Sequence, residues 1–307
     1  MTILYKYYKS YSQDIFINPK LKLTPPSHLN DPFERKIPHG IEAIILNSWL
    51  SPAITKSQKE HDINDHKKHT INVLENTLSS IGITAMSENS DNILMWSHYA
   101  DSHNGICIGY DTSKINDEHM QLVKVDYDAK RFKESDINTS LKTFPSMHQT
   151  IIDKVITTKS EQWIYEDEHR YITNIIYADY ISISADKRKE KDIIDFFESE
   201  NGKTKYLYDA LEIKHRTEGE KELVTINAII KNTMNPFFAE KLVAYKNISF
   251  YKSIDQLCIK EIYIGCNSDI SVEDVLSKLK EANLMNIKVN KYKMSDTDFK
   301  LEIFDKD

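Results

Sequence analysis

Two short segments concentrate the side chains that could do chemistry. The first is Trp163-Ile164-Tyr165-Glu166-Asp167-Glu168-His169-Arg170. Read as an extended strand, its alternation puts Glu166 and Glu168 on one face with Arg170 beside them. Carboxylates held side by side repel, so the pair is unfavourable unless something offsets it. Such a pattern commonly makes a charge ladder on an exposed strand edge. Its chemical alternative is a Glu-x-Glu pair that binds sugar hydroxyls or stabilises a developing cation. Arg170 is informative because arginine is rare here, the others being Arg35, Arg131, Arg188 and Arg216.

The second segment is Leu94-Met95-Trp96-Ser97-His98-Tyr99-Ala100-Asp101-Ser102-His103-Asn104-Gly105. Trp96 and Tyr99 are three apart, and Met95 and Tyr99 four apart, so they share one side of a helix. His103 falls just beyond its end. The plain reading is a buried aromatic plug with a C-capping histidine. The functional reading is an aromatic wall for a flat ring, with His103 as its polar reader. A third segment, Asn30-Asp31-Pro32-Phe33-Glu34, has turn chemistry, since Asn and Asp before Pro bond their own backbone. It could also line a pocket.

Other constellations carry less. His61, His66 and His69 lie on a polar helical stretch and read as a solvated face. His98 and His103 lack a carboxylate or thiolate at ligand spacing. Asp209 with Glu212-Ile213-Lys214 faintly resembles a metal-nuclease core, but the pattern is short enough to arise by chance. No nucleophile elbow is present. No metal site is assigned.

Composition narrows the classes. The 307 residues carry a net charge of −7, which argues against a protein that coats nucleic acid through its phosphates. Glycine is scarce at 7, so a glycine-rich phosphate loop is not expected. Cys107, Cys258 and Cys266 each sit in apolar surroundings, an odd set that reads as buried thiols in a reducing compartment. With no signal-peptide pattern at Met1 to Tyr7 and no apolar run near the roughly 20 residues of a membrane span, a cytoplasmic protein without a membrane partner is expected.

The elements that must position these residues follow from pattern. Strands are expected at Ile3 to Tyr8, Leu21 to Thr24, Gly82 to Ser87, Ile106 to Tyr110, Leu122 to Tyr127, Glu168 to Ile176, Ile259 to Gly265, Ile287 to Tyr292 and Phe299 to Phe304. Helices are expected at residues 40–50, 57–80 and 146–163, in a short segment capped by Asp91 or Asn92, from Val224 to about Leu242, and after Ser271 by a capping-box pattern. Residues 184–222 read as charged and irregular, with one short helix near Ile193 to Phe197. Regular βα alternation is missing. The expected class is α+β, a central mixed or antiparallel sheet system with flanking helices. The expected organisation is one domain over 1–307 with a variable charged and helical insertion at about 177–250. The strands near 3–8, 83–87, 106–110 and 168–176 should share a sheet. Tyr7, Asn30, Trp96, His103 and Glu168 should then meet at one concavity.

Taken together, the segments resemble domain-of-unknown-function family 2971. The resemblance rests on Leu4-Tyr5-Lys6-Tyr7, Asn30-Asp31-Pro32-Phe33-Glu34, Met95-Trp96-Ser97-His98-Tyr99-Ala100 with His103 and Gly105, Trp163 with Glu166, Glu168 and Arg170, and Ile262-Tyr263-Ile264-Gly265. A more distant resemblance is to ADP-ribosyltransferases, which place an Arg, His or Tyr on a first strand, a Ser or Tyr on a middle strand and a catalytic Glu on a later one. Tyr5 or Tyr7, Ser87, and Glu166 or Glu168 occur in that order. The first strand here has Lys6 between tyrosines, and the middle strand reads Ala85-Met86-Ser87.

That resemblance implies an ADP-ribosyltransferase-like fold and an NAD-dependent mono-ADP-ribosyltransferase. NAD would be the substrate, and a nucleic-acid base or protein side chain the acceptor. Glu168 would be catalytic and Glu166 would orient the acceptor. Tyr5, Lys6, Tyr7, Asn30, Asp31, Phe33, Ser87, Trp96, Tyr99, His103 and Arg170 would hold NAD. Cleaving the nicotinamide bond passes through an oxocarbenium-like state, which an anionic Glu stabilises while aromatic rings clamp the base. The resemblance further implies a prokaryotic toxin or anti-phage effector, with an antitoxin or other regulatory protein as partner. The alternatives are a non-catalytic module that binds a nucleotide or partner and, further off, a metal-dependent nuclease.

Overall fold

The computed structural model describes residues 2–11, 14–41, 60–133, 144–203, 208–219, 221–245 and 247–304. In chain order the strands are β1 (Ile3–Tyr8), β2 (Lys20–Leu23), β3 (Ile81–Ser87), β4 (Ile106–Asp111), β5 (Gln121–Lys124), β6 (Asp126–Asp128), β7 (Thr158–Ser160) and β8 (Glu168–Asn174). They continue as β9 (Tyr180–Asp186), β10 (Tyr208–Glu218), β11 (Lys221–Ile230), β12 (Ile248–Ser253), β13 (Ile259–Ile264), β14 (Lys288–Met294) and β15 (Leu301–Ile303). The helices are α1 (Asp14–Ile17), α2 (Glu60–Ser79), α3 (Ile93–Tyr99), α4 (Phe144–Thr157), α5 (Glu190–Lys203), α6 (Pro236–Val243) and α7 (Val272–Glu281).

The class is α+β. One sheet has the order β15-β14-β13-β4-β1-β3-β8-β5, and a second has β10-β11-β9-β12-β2. Thus the strands at 3–8, 81–87, 106–111 and 168–174 share one sheet. Its one parallel pair, β13 with β14, is bridged by α7, as a parallel pairing requires. The helix starts at the capping box read from the sequence: Ser271 and Asp274 each satisfy the other's backbone N–H. At α3 the cap is Asn92, whose side chain accepts from the Leu94 and Met95 N–H groups.

The two sheets meet at a narrow join. Thr24, next to β2, exchanges backbone hydrogen bonds with Ile83 of β3 at 2.8 and 2.9 Å. Within the larger sheet, β1 pairs with β4 from Ile3 to Tyr8 but with β3 only through Tyr5 and Ser87. Beyond that contact β1 and β3 separate, and the opening between them is where the site forms.

The segment expected to be a charged, helical insertion is largely sheet. There β10 and β11 pair antiparallel over a long stretch, and Gly219 after β10 has φ 61°. The helix expected from Val224 is strand as far as Ile230, and only Pro236–Val243 is helical. Val224, Ile226 and Ala228 alternate into a core with Phe197, Phe238 and Phe250. Burial of that stripe against β9 and α6 outweighs the helical reading of its charged and alanine-containing surroundings. The strand expected over Leu122 to Tyr127 breaks at Val125, which is buried and donates to the Glu168 carbonyl at 2.9 Å. The helix expected to reach residue 163 ends at Thr157. Most of the helix expected at 40–50 lies outside the described residues.

Two glycines fix how α3 and its turn sit on the sheet. The Gly265 N–H donates to the Gly105 carbonyl at 3.0 Å. A Cβ on Gly105 would fall on the Tyr8 carbonyl, and one on Gly265 on the His103 carbonyl. Backbone on both sides cannot yield as a flexible side chain can. Gly265→Ala is therefore expected to destabilise the fold by at least about 2 kcal/mol. Gly219→Ala, in open space at a positive φ, should cost only about 1 kcal/mol. Urea unfolding of the two variants checks the ordering.

Candidate functional site

Cross-strand register decides which side chains meet. Tyr5 on β1 is opposite Ser87 on β3, and Ser87 is opposite Glu168 on β8. Directly opposed residues of an antiparallel pair point the same way, so these three make a row across neighbouring strands. Tyr7 and Arg170, each two residues along its strand, share that face.

Glu166 joins them by another route. It closes a 3-10 turn, Glu161–Glu166, and Asp167 follows with a left-handed φ of 40° before Glu168 opens β8. The extended alternation read from the sequence is therefore not what aligns the two glutamates; the reversal at Asp167 is. A left-handed non-glycine residue costs on the order of 1 kcal/mol and persists where its surroundings hold it. Here Asn89 donates to the Asp167 carboxylate at 2.6 Å, and the Glu88 N–H donates to the Asp167 carbonyl at 3.1 Å.

Behind the row lies a buried ionic cluster. Glu34, Lys159, Glu166, Glu168 and Arg170 are each at most 5% exposed. Arg170 donates through Nε and Nη2 to the two oxygens of Glu168 at 2.8 and 3.1 Å. Its Nη1 donates to the Ile156 carbonyl at 2.6 Å, and its Nη2 also reaches Glu34. Lys159 Nζ donates to Glu166 at 2.5 Å and to Glu168 at 3.1 Å. Tyr99 donates its hydroxyl to the other Glu166 oxygen at 2.5 Å and accepts from the Asn30 amide at 2.8 Å.

The same burial moves the two glutamates in opposite directions. Loss of water alone would raise Glu168, but the charges and hydrogen bonds of Arg170 and Lys159 overcome it and hold the carboxyl down at about 2. Glu166 is raised above the ordinary carboxylate value, by burial first and then by the Glu168 charge, with Lys159 opposing. Tyr99 is also raised, by burial and by Glu166, so its phenol remains a donor.

The row and the cluster wall a cavity of about 140 Å³. Tyr5, Lys6, Tyr7, Asn30, Ser87, Tyr99, Glu166, Glu168 and Arg170 all line it. The hydroxyls of its two β1 tyrosines point to other partners. Tyr5 donates to Glu261 at 2.9 Å, its ring lying across Gly109, and Tyr7 donates to the Asn89 carbonyl at 2.7 Å. A second cavity of about 380 Å³ adjoins the first, with Glu34 and Lys159 lining both.

Four residues expected to hold a ligand with that set stand elsewhere. Trp96 is fully buried, donates its indole N–H to the Ser90 carbonyl at 2.7 Å and meets Tyr7 and Tyr292 edge-on. It is the aromatic plug, not the cavity wall. His103 stacks on Trp96 with ring centroids 6.5 Å apart and lines a different surface depression. The left-handed turn Asp101–His103 carries it away from the glutamates. Asp31 spends its carboxylate on the Phe33 N–H at 2.8 Å, and Phe33 is 58% exposed. Both line the second cavity. Of the five residues expected at one concavity, Tyr7, Asn30 and Glu168 meet there, while Trp96 and His103 do not.

Sequence reasoning passed over Lys159 and the pairing of Glu34 with Arg170. Lys159 follows α4 with no motif around it, and its spacing to Glu166 gains meaning only once the 3-10 turn is known. Among the described residues no group of three or more His, Cys, Asp or Glu is arranged to hold a metal ion. None of the described helices is long and apolar enough to cross a membrane.

Residues 95–171 match the model of a family described as protein of unknown function (DUF2971). The match covers about a quarter of the chain. The matched segment carries Tyr99, Lys159, Glu166, Glu168 and Arg170, while β1 and the Asn30 to Glu34 turn complete the site from outside it. No curated protein and no solved structure matches the chain.

The ionic cluster makes a pH-dependent contribution to stability. A carboxylate held below its ordinary value stabilises the fold fully above about pH 4.5, and that contribution is lost as pH falls toward about 2. Glu168→Gln, which leaves Arg170 and Lys159 short of a partner, should destabilise the protein by about 3 kcal/mol at pH 7. The difference from wild type should narrow below about pH 4.5. Urea unfolding across a pH series reads both; a constant difference would show that Glu168 is not the ionised partner.

Proposed function

We propose that the chain is an NAD-consuming, mono-ADP-ribosyltransferase-like enzyme. The observation that carries this reading is the row Tyr5–Ser87–Glu168 across three neighbouring strands, facing a cavity of about 140 Å³. A cavity of about 150 Å³ holds one benzene-sized ring, so the space suits a nicotinamide ring with the rest of the dinucleotide outside it. Tyr5, Tyr7 and Tyr99 supply aromatic surface, and Glu168 supplies a carboxylate that stays anionic.

In this reading the bond from ribose C1′ to the nicotinamide nitrogen breaks, and nicotinamide leaves with the electron pair. Positive charge develops on the ribose. Glu168, its orientation fixed by Arg170 and Lys159, stabilises that charge without having to reorganise. Glu166 is the better proton acceptor, since burial raises its carboxyl. It takes the proton of the acceptor's O–H or N–H as that atom bonds to C1′. The acceptor is a nucleic-acid base or a protein side chain. We further propose a cytoplasmic effector, a toxin or anti-phage factor restrained by an antitoxin or regulatory protein. The free thiols of Cys107, Cys258 and Cys266 fit a reducing compartment.

A binding module without catalysis is favoured by one specific feature: both Glu168 oxygens are already engaged by Arg170 and Lys159. Nicotinamide release from NAD separates the two readings. We expect release without added divalent metal, and transfer of labelled ADP-ribose into a component of cell lysate. Glu168→Gln, assayed at a temperature where circular dichroism reports it folded, should lose on the order of 100- to 1000-fold in turnover. Glu166→Gln should impair transfer more than hydrolysis. Arg170→Lys, which leaves a carboxylate at Glu168 but removes the fork that orients it, should lower turnover less than Glu168→Gln does. Equal turnover of wild type and folded Glu168→Gln removes the catalytic assignment and leaves the binding module.

A further inference from the structure

Among the cations that line the cavity, all but one have an acidic partner. Lys159 and Arg170 are paired within the cluster. Lys6 is on β1 where β1 parts from β3, and it lines the 140 Å³ cavity. Its Nζ donates to the Ala85 carbonyl at 3.0 Å, and among the described residues no carboxylate lies within ion-pair distance. A backbone carbonyl is a partner that a neutral amine serves as well as an ammonium. The cavity that Lys6 lines also has the tyrosines at 5, 7 and 99, with Met86 and Met95, in its wall.

An ammonium withdrawn from water without a counter-ion shifts toward the neutral amine, whose lone pair is nucleophilic. Burial pushes the Lys6 amine down to about 8. Of the charges facing it, Glu168 on β8 favours the ammonium and Lys22 on β2 opposes it. Glu34, Glu166, Lys159 and Arg170 line the same cavity and pair with one another, although Glu34 Oε2 is left without a hydrogen bond.

We propose that Lys6 is a nucleophilic amine that forms an imine with a small carbonyl compound, an aldehyde or ketone of about one ring, held in this cavity. The Nζ lone pair adds to the carbonyl carbon, and the carbonyl oxygen takes up a proton to give a carbinolamine. Loss of that hydroxyl as water leaves the C=N bond. The products are the imine and water, with no oxidant or reductant consumed. The two protons of that water balance the two that the amine nitrogen gives up. The inference stands on Lys6 and the cavity, and it holds or fails independently of NAD turnover.

Pyridine-3-carbaldehyde with cyanoborohydride tests it on the full chain, because reduction fixes any imine as a secondary amine that peptide mass spectrometry locates. At pH 7 a lysine with its value near 8 is roughly 10% neutral, against about 0.03% for an ordinary one. Lys6 should therefore be modified about three hundredfold faster than exposed lysines, with a rate that rises to a midpoint near pH 8. Lys6→Arg should abolish the fast phase. Labelling spread evenly over exposed lysines, or a Lys6 midpoint above about pH 10, overturns the proposal. Should Lys6→Arg fail to fold, the pH profile of the unaltered protein still decides.

Discussion

Arg170 is a full cation with almost no contact with water, and everything near the cavity is arranged around that fact. Moving such an ion out of water costs several kcal/mol unless each of its donors is met. The planar fork of the guanidinium spends its donors in three directions: on Glu168 at the start of β8, on the carbonyl of Ile156 in the last turn of α4, and on Glu34 in the Asn30 to Glu34 turn. Three segments, one of them more than a hundred residues before the other two, are thereby held at fixed distances. A lysine could supply the charge but not the planar fork that meets both Glu168 oxygens while reaching Ile156 and Glu34. The cavity wall is stiff because loosening any one partner would strand a buried charge.

The same arrangement separates two chemically identical side chains. Glu166 and Glu168 share Lys159, yet only Glu168 has the guanidinium. One is held as an anion and the other is displaced toward the acid. Groups whose surroundings push them apart in this way can take different parts in one reaction, and two equivalent carboxylates could not. The division depends on Asp167, since without the chain reversal there the two glutamates would not converge through different elements on one space.

Much of this was readable from residue types, and the remainder depended on distance. Strand patterns at Ile3 to Tyr8, Gly82 to Ser87 and Glu168 onward are local, so β1, β3 and β8 could be recognised from β-branched and aromatic content. The capping box at Ser271 and the cap at Asn92 were legible for the same reason. The β10–β11 pair was not: its outward face is charged, and only its pairing with β9 shows that Val224, Ile226 and Ala228 form an inner stripe. At the site, Tyr5, Ser87 and Glu168 were recognisable as kinds of residue, and their alignment is a matter of register. Trp96 was misleading because a large aromatic beside a site serves equally as plug or wall, and only burial distinguishes the two. Lys159 was invisible because a single lysine in a lysine-rich chain carries no signal until its partners are known.

The larger architecture has a bearing on biosynthesis. β2 finds its strand partner in β12, whose residues lie more than two hundred positions further along the chain. β1 and β4 pair early, but the far side of β4 is closed only by β13. During synthesis from the N-terminus, β2 therefore waits with its edge unpaired until almost the entire polypeptide has emerged, and pairings of such long range form slowly. Charged residues at Lys20 and Lys22 flank the apolar Leu21 and Leu23 on that strand, a composition that discourages a waiting edge from joining a neighbour's. The nascent protein is thus protected by two lysines whose value is greatest before the fold exists.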